Sequence, residues 1–398
     1  MNVELRDVEQ ARSLLDQVVE ETPLAHSRWL STRAQVPVFL KCENLQRTGS
    51  FKIRGAYVRI SRLSAAERSR GVVAASAGNH AQGVALAAQL LACKATIVMP
   101  DGAALPKVQA TRGYGAQIEF AGAGVTEALL RAQEIAEQTG AVLIHPFDHE
   151  DVLVGQGTVG LEILEQLPDV GTIVVPLGGG GLAAGIALLR ERRPDVRVVG
   201  VQAEDAAAYP GSLAQGRPVR GTMGPTMADG IAVAQPGLIP FEVIADRLDE
   251  VVTVSEESMS QALIGLLERA KMLVEPSGAA GVAALLERPE AFAGPVVSVL
   301  SGGNIDALVL LDVIRHGLAA AGRFMHLRVR FSDRPGALVR LLTDLAAMGV
   351  NVVDVAHDRS ADSLGVREVE VAVEVATRGP EHRDEVREHL TSLGHQLM

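Results

Sequence analysis

The chain reads TIVVPLGGGGLAAG from Thr172 to Gly185. This pattern predicts a buried strand that runs into a glycine turn and then into a helix. Glycines let backbone N–H groups come close to an anion, and the N-terminus of a helix adds partial positive charge. The stretch therefore predicts a phosphate-binding turn within an α/β fold.

The same alternation continues on both sides, from about residue 70 to residue 305. Short runs rich in Val, Ile and Leu alternate with longer amphipathic segments, which is typical of a parallel sheet wrapped by helices. These elements predict a doubly wound α/β fold. We predict strands at 71–75, 95–100, 117–120, 141–145, 171–176, 196–202 and 296–300, and helices at 79–91, 107–114, 125–139 and 154–167.

The pattern changes near Gly322. Residues 325–331 alternate apolar and polar side chains with a period of two, which indicates a sheet that is wet on one face. We expect Asp333 to cap the helix that follows and Pro335 to lie in its first turn. The chain thus divides into a domain of residues 1–320 and a small ferredoxin-like βαββαβ domain of residues 323–398. Its remaining elements are predicted as helices at 338–348 and 381–393, strands at 351–357 and 366–376, and a short last strand.

Composition limits the classes of partner. The 398-residue chain has a formal net charge of −11, whereas nucleic acids and anionic membranes attract basic surfaces. Its two cysteines give neither a disulfide framework nor metal-ligand spacing. There is no signal-peptide core near the N-terminus and no apolar run of about 18 residues. We expect a cytoplasmic protein whose partners are small molecules and copies of itself, with no nucleic acid and no membrane.

Lysine is scarce in this chain, and one lysine lies in an unusual context. Lys52 belongs to the segment TGSFKIRGA, which runs from Thr48 to Ala56. A lysine amine becomes nucleophilic when burial lowers its pKa, and it then forms Schiff bases with carbonyl compounds such as pyridoxal phosphate. Arginine stays charged and cannot replace it. Lys52 is therefore the candidate for amine chemistry.

Further polar clusters lie where predicted strands or helices end or begin. Ser76-Ala77-Gly78-Asn79-His80 follows an early strand, and Ser301-Gly302-Gly303-Asn304 follows a late one. Ligands of α/β sheets bind at such ends, so these clusters are candidates for the same site as Lys52. Glu275-Pro276-Ser277 precedes a helix, where Glu275 is expected to act as a cap.

A dinucleotide-binding fold is the main alternative. Gly179, Gly181 and Gly185 approximate its glycine fingerprint, and Glu204 ends the next strand where a ribose-binding acid would lie. However, alanine replaces the third glycine of that fingerprint. A hydride-transfer enzyme would also leave Lys52 and the cluster around Asn79 unexplained.

Taken in chain order, the motifs resemble those of fold-type II pyridoxal-phosphate enzymes, the family of threonine dehydratase and serine racemase. The resemblance covers residues 1–320 and implies two doubly wound subdomains, the smaller one (about 53–150) inserted in the larger. It implies that Lys52 holds the cofactor aldehyde and later removes the substrate's α-proton, that Ser76 takes part in catalysis, and that Glu275 lies near the cofactor. The implied cofactor contacts are Phe51, Lys52, Asn79, Gly178, Gly179, Gly180, Gly181, Leu182 and Ser301, and the implied substrate contacts are Ser76, Ala77, Gly78, Asn79 and His80.

The same resemblance implies an α,β-elimination that converts L-threonine or L-serine to 2-oxobutyrate or pyruvate and ammonia. Racemase-like relatives carry serine at the position of Ala77, and alanine cannot move a proton, which favours a dehydratase. Serine racemase and hydroxyaspartate dehydratase remain alternatives within the family. Some relatives hold a divalent cation through a Glu near the position of Pro225. No metal site is assigned here, and Glu204 and Asp229 remain candidate ligands for a monovalent or divalent cation.

Residues 323–398 resemble an ACT domain, a regulatory module that pairs with another copy and binds amino acids at the paired interface. The motif DRPGAL carries the resemblance. It implies isoleucine or valine as effectors in isoleucine biosynthesis, and a homodimer or homotetramer. The alternatives are a dimerisation module without a ligand and an amino-acid sensor without catalysis. The implied effector contacts are Asp333, Gly336, Ala337, Leu338 and Asn351.

Overall fold

A computed structural model describes residues 3–359 and 364–398. The chain forms two compact units, Met1–Val309 and Leu310–Met398. This division falls inside a helix, Ala307–Ala320, slightly before the predicted boundary. None of the helices in the described residues is long and apolar enough to span a bilayer.

Strands in the described residues belong to three sheets. In chain order they are β1 (Leu24–His26), β2 (Val38–Lys41), β3 (Val72–Ala75), β4 (Ala95–Met99), β5 (Gln117–Phe120), β6 (Val142–Leu143), β7 (Thr172–Pro176), β8 (Arg197–Ala203), β9 (Glu250–Val254), β10 (Val296–Val299), β11 (Phe324–Ser332), β12 (Asn351–Asp358), β13 (Glu368–Ala376) and β14 (Gln396–Leu397).

Helices pack around these sheets. In chain order they are α1 (Leu5–Leu15), α2 (Arg28–Ala34), α3 (Lys52–Ser61), α4 (Ala65–Arg70), α5 (Asn79–Leu90), α6 (Leu105–Gly113), α7 (Val125–Thr139), α8 (Glu150–Gln166), α9 (Gly181–Ala187), α10 (Tyr209–Gln215), α11 (Leu238–Arg247), α12 (Glu256–Gly265), α13 (Pro276–Glu287), α14 (Ala307–Ala320), α15 (Ala337–Ala347) and α16 (Pro380–Ser392).

Two sheets build the first unit. The larger has the strand order β1-β2-β10-β7-β8-β9 and is parallel except for β1, which pairs antiparallel with β2. The smaller has the order β5-β4-β3-β6 and is parallel throughout. The predicted doubly wound α/β fold is confirmed. Because the carboxyl ends of parallel strands share one edge of a sheet, the turns after β7 and β10 lie at the same edge of the larger sheet, and the turn after β3 lies at the corresponding edge of the smaller sheet.

Helix boundaries follow local capping. The helix predicted at 125–139 is α7, residue for residue. The helix predicted to begin at Val154 begins at Glu150, because the ring Nδ1 of His149 accepts a hydrogen bond from the backbone N–H of Asp151 at 3.1 Å. An acceptor at this position satisfies one of the free N–H groups of the first helical turn.

A buried ionic network ties α3 to α8 and to the chain after β2. The guanidinium of Arg54 donates to Glu43 Oε1 at 2.8 Å and to Glu162 Oε1 at 2.6 Å, and Lys41 Nζ lies 2.6 Å from Glu162 Oε2. All four side chains are buried. Buried charges are tolerated when they are paired in this way, so the network fixes the helix whose first residue is Lys52.

The second unit is an antiparallel sheet of order β12-β13-β11-β14 with the helices α15 and α16. Its element order is βαββαβ, which confirms the predicted ferredoxin-like arrangement. The predicted cap is wrong. Gly336, at φ +86°, precedes the first residue of α15, and Pro335 therefore lies outside the helix. The carboxylate of Asp333 instead accepts from Arg359 Nε at 2.9 Å.

The positions predicted to bind an effector are divided between the two ends of this sheet. Asn351 is level with Phe324 because both pair with Ala376, whereas Asp333 follows Ser332 at the far end of β11. At about 3.3 Å per strand residue, these ends are roughly 26 Å apart. Helix α15 carries the chain back along the sheet, and Asn351 therefore cannot join Asp333 and Gly336 within one copy of the chain.

Candidate active site

Lys52 is the first residue of α3, and the segment before it is held by the late motif. Ser50 forms a β-bridge with Gly302, and the backbone N–H of Phe51 donates to the carbonyl of Ser301 at 3.2 Å. Two motifs that are about 250 residues apart in the chain are therefore adjacent in the fold.

The side chain of Lys52 lines a cavity. Its Nζ contacts the carbonyl of Pro146 at 3.3 Å and lies 5.0 Å from the centre of the Phe51 ring. Burial lowers the pKa of Lys52 to about 8, although the carboxyl group of Glu275 acts in the opposite direction. About a tenth of this amine is thus neutral, and nucleophilic, at pH 7.

The cluster from Ser76 to His80 connects β3 to α5, whose first two residues are Asn79 and His80. The backbone N–H of Gly78 donates to Ser76 Oγ at 3.1 Å, which closes the turn. Among the described residues no backbone or side-chain acceptor faces the N–H groups of Ala77 and Asn79 at the start of α5. Free N–H groups at a helix N-terminus attract anions such as carboxylates.

His80 is held away from proton chemistry. Its Nε2 donates to the carbonyl of Ile144 at 2.8 Å, and its ring is buried. Burial, together with the nearby Lys52 amine, lowers the pKa of His80 to about 3. The ring is therefore neutral and held in place by this hydrogen bond, and His80 lines the cavity without exchanging protons.

The four glycines from Gly178 to Gly181 turn between β7 and α9. The carbonyl of Gly179 accepts from Tyr209 Oη at 3.2 Å and from the N–H of Gly237 at 3.1 Å. In the part of the chain that the structure describes, no protein acceptor meets the N–H groups of the four glycines. Backbone N–H groups without a protein acceptor in a glycine turn can together bind an anion such as phosphate.

Side chains larger than hydrogen do not fit at the two central positions of this turn, Gly179 and Gly180. Gly180 has φ +105°, and an added Cβ there would lie 2.0 Å from Tyr209 Oη. A Cβ on Gly179 would lie 2.4 Å from ring carbons of Phe147. The glycine run is thus required by both backbone conformation and space.

Glu275 and Asn79 meet across the site. Asn79 Nδ2 donates to Glu275 Oε1 at 2.6 Å, and the Glu275 side chain makes no capping bond to α13. The expected cap is therefore wrong. Burial raises the pKa of Glu275 to about 7, and the carboxylate of Asp229 acts in the same direction. Glu275 lines the same cavity as Lys52. Its place near the cofactor stays a prediction from the family resemblance.

One cavity of about 300 Å³ is lined by all the residues predicted to contact cofactor or substrate. Asp229, a candidate cation ligand, also lines it, with its carboxylate 3.3 Å from Lys107 Nζ. Glu204 is exposed and does not line it. No group of three or more His, Cys, Asp or Glu side chains in the described residues is arranged to hold a metal ion. Lining residues that were not predicted include Lys107, Phe147, Gln156, Ile231 and Ser277. The Oγ of Ser277 is buried and has no hydrogen-bond partner among the described residues.

A family model described as pyridoxal-phosphate dependent enzyme matches residues 15–302. The chain belongs to this family. Residues 15–302 include Lys52, the Ser76–His80 turn, the glycine run and Ser301, and the match leaves the dinucleotide interpretation without support.

Relatives in this family share most of the chain. An L-threonine ammonia-lyase of Geobacter sulfurreducens is 46% identical over 98% of this chain and 97% of its own length. The L-threonine ammonia-lyase of Thermotoga maritima is 46% identical over 99% of each chain. Among solved structures, maize serine racemase has a TM-score of 0.75 at 34% identity, with 80% of this chain and 99% of that chain covered. A threonine deaminase of Solanum lycopersicum has a TM-score of 0.74 at 37% identity, with 78% and 93% covered.

The cavity fits pyridoxal phosphate on chemical grounds. Its wall presents a primary amine with a lowered pKa on Lys52 and an anion cradle from Gly178 to Gly181. The buried hydroxyl side chain of Ser301 also lines it. These groups suit an aldehyde, a phosphate and a ring nitrogen, respectively.

Proposed function

We propose that the protein is a pyridoxal-phosphate-dependent threonine ammonia-lyase. It converts L-threonine, and also L-serine, to 2-oxobutyrate or pyruvate and ammonia. The observation that carries this proposal is the meeting of one nucleophilic amine, on Lys52, with two separate sets of unpartnered N–H groups in one cavity. One set suits the cofactor's phosphate, and the other suits the carboxylate of an amino acid.

When bound, pyridoxal phosphate supplies an aldehyde that condenses with amines and a ring that makes the substrate's α-C–H acidic. Lys52 would hold the cofactor, and its freed amine would take the α-proton. Gly178 to Gly181, flanked by Leu182 and Phe51, would hold the phosphate. The Ser76 hydroxyl and the N–H groups at the start of α5 would hold and orient the substrate carboxylate.

The proposed contacts favour elimination over racemisation. Ser301 offers the ring nitrogen a hydroxyl in place of a carboxylate, which weakens the ring as an electron acceptor and favours prompt loss of the β-hydroxyl group. Racemisation also needs a second acid–base group on the opposite face of the substrate. Ala77 has none, and the neutral ring of His80 is already bonded to Ile144.

The first experiment is a visible absorption spectrum of the purified protein, followed by addition of L-threonine. We expect a cofactor band that changes on addition, with 2-oxobutyrate accumulating and with L-serine giving pyruvate. The Lys52→Ala variant should lose both the covalent cofactor and turnover. A cofactor band with racemised amino acid and no oxo acid would instead support the racemase alternative.

We also propose that residues 323–398, within the unit Leu310–Met398, form an ACT-type regulatory domain of a homo-oligomer. Its fold and the motif DRPGAL support this proposal. A catabolic L-threonine dehydratase of Staphylococcus aureus matches 80% of this chain over 94% of its own length, and such a relative lacks a counterpart to about a fifth of this chain. Because Asp333 and Asn351 lie at opposite ends of the sheet, an effector that contacts both needs two copies.

Truncation tests this regulatory role. A variant that ends before Arg323 should retain threonine turnover and lose any response to isoleucine or valine. A truncated enzyme that responds to either amino acid as the full chain does would place the effector site elsewhere.

A further inference from the structure

Asn304 ends the motif Ser301–Asn304, and the proposed activity gives it no role. Its amide nitrogen makes two hydrogen bonds, to the backbone carbonyl of Thr48 at 2.7 Å and to Asn79 Oδ1 at 2.7 Å. Both hydrogens of that nitrogen are therefore engaged. Asn304 joins the segment before Lys52 to the turn that begins α5.

These bonds fix which way each amide points. A backbone carbonyl only accepts, so the atom of Asn304 that faces Thr48 must be its nitrogen. The same nitrogen meets Asn79, and the facing atom of Asn79 must therefore be its oxygen. The nitrogen of Asn79 then donates to Glu275 Oε1 at 2.6 Å, which uses one of its two hydrogens.

Two glycines make room for this chain of hydrogen bonds. A Cβ on Gly49 would lie 2.5 Å from Asn304 Oδ1, and Gly49 also has φ +70°. A Cβ on Gly302 would lie 2.2 Å from Glu275 Oε1 and 3.0 Å from Asn79 Nδ2. The local backbone is thus shaped around these three side chains.

We propose that Asn304 is a positioning residue that holds Asn79 as a hydrogen-bond donor toward the ring oxygen of the bound cofactor. The oxygen of Asn79 is occupied by Asn304, and its second N–H is the part of the amide left for a ligand in the cavity that Asn79 lines. This inference rests on the proposed function, through the cofactor contact that the family resemblance implies for Asn79, and does not depend on the substrate.

The role has a spectroscopic consequence. A negative ring oxygen stabilises the proton on the adjacent nitrogen that links Lys52 to the cofactor. A donor to that oxygen weakens this effect and lowers the pH at which the visible cofactor band titrates. Without Asn304, the Asn79 amide is free to turn its oxygen inward, where it would repel the ring oxygen.

The test compares Asn304→Leu, which keeps the shape of the side chain, with Asn304→Ala and with Asn304→Asp, which can accept but not donate. Cofactor-free protein is titrated with pyridoxal phosphate, and the visible band of the loaded protein is titrated with pH. Because hydrogen bonds to charged groups are the stronger class, we expect about tenfold weaker cofactor binding and a titration midpoint raised by about one pH unit. The matched control is Asn44→Ala, because Asn44 Nδ2 also bonds a backbone carbonyl, that of Leu273, at 3.1 Å.

The three substitutions keep the result decisive if one of them fails to fold, which circular dichroism of the cofactor-free protein reveals. A folded Asn304→Leu protein with the wild-type affinity and midpoint would reduce Asn304 to a space-filling role and overturn the proposal. Equal changes in Asn44→Ala would also overturn it. Neither measurement uses threonine, so failure of the substrate assignment would leave this test intact.

Discussion

Lys52 should react with the cofactor aldehyde at a pH far below the pH at which an ordinary lysine becomes reactive. Burial lowers its pKa from 10.5 to about 8. At pH 7 about 9% of such an amine is neutral, against about 0.03% for an unperturbed lysine, which is on the order of a 300-fold difference in the nucleophilic form. The cavity therefore prepares the amine before the cofactor arrives.

The sign of the pH dependence follows from which form reacts. Only the neutral amine is a nucleophile, so the rate of cofactor attachment should rise about tenfold per pH unit below the pKa and level off above it. The assay is rapid mixing of cofactor-free protein with pyridoxal phosphate between pH 6 and pH 10, followed at the visible band. Nα-acetyl-lysine, mixed under the same conditions, corrects for ionisations of the cofactor itself.

After that correction, a bend near pH 8 is the expected result. A rate that still rises about tenfold per unit between pH 8.5 and pH 10 would mean that Lys52 has an ordinary pKa. That outcome would refute the inference that burial activates the amine, even if the enzyme turned over threonine.

Two further predictions concern stability and the anion cradle. Glu162→Gln removes the carboxylate that pairs with the buried cations Lys41 and Arg54, and it should lower the free energy of unfolding by about 3 kcal/mol or more. Glu165→Gln, on the same helix but in an exposed ion pair, should lower it by less than about 1 kcal/mol. Equal losses in denaturant unfolding would contradict the network's role. Gly180→Ala places a Cβ against the hydroxyl of Tyr209 at a residue with φ +105°. Because a left-handed backbone costs an alanine about 1–2 kcal/mol, this variant should bind the cofactor about tenfold more weakly or worse. The control Gly211→Ala, whose Cβ would lie in open space, should bind the cofactor normally. Normal binding by Gly180→Ala would exclude this turn as the phosphate site.

Much of the fold was accessible from local pattern alone. Parallel strands buried on both faces are short apolar runs, and β3, β4, β7, β8 and β10 all follow this rule. β1 carries no such signal, because it is a three-residue edge strand that owes its conformation to pairing with its neighbour. Such strands are set by tertiary contacts, which periodicity cannot report.

The site was predictable where glycine or a rare residue type marks it. Lys52 and the run from Gly178 to Gly181 are visible in the sequence because few residues can replace them. Phe147 and Lys107 were not predicted, since a phenylalanine or lysine between two elements looks like any other loop or helix residue. Their presence in the cavity depends on how the two sheets are placed, and nothing local encodes that.

Glu275 shows how a local rule can give the wrong role for the right position. A carboxylate before a helix is ordinarily read as a cap, because it satisfies free N–H groups there. Here its oxygen accepts from Asn79 instead, and Gly302 lacks a side chain at the point where that oxygen lies. The missing information was the partner, about 200 residues away in the chain. Gly302, the amide of Asn79 and the carboxylate of Glu275 come from three separate motifs, and their roles are explained only by their contacts with one another. Substitution of any one of them should disturb the other two.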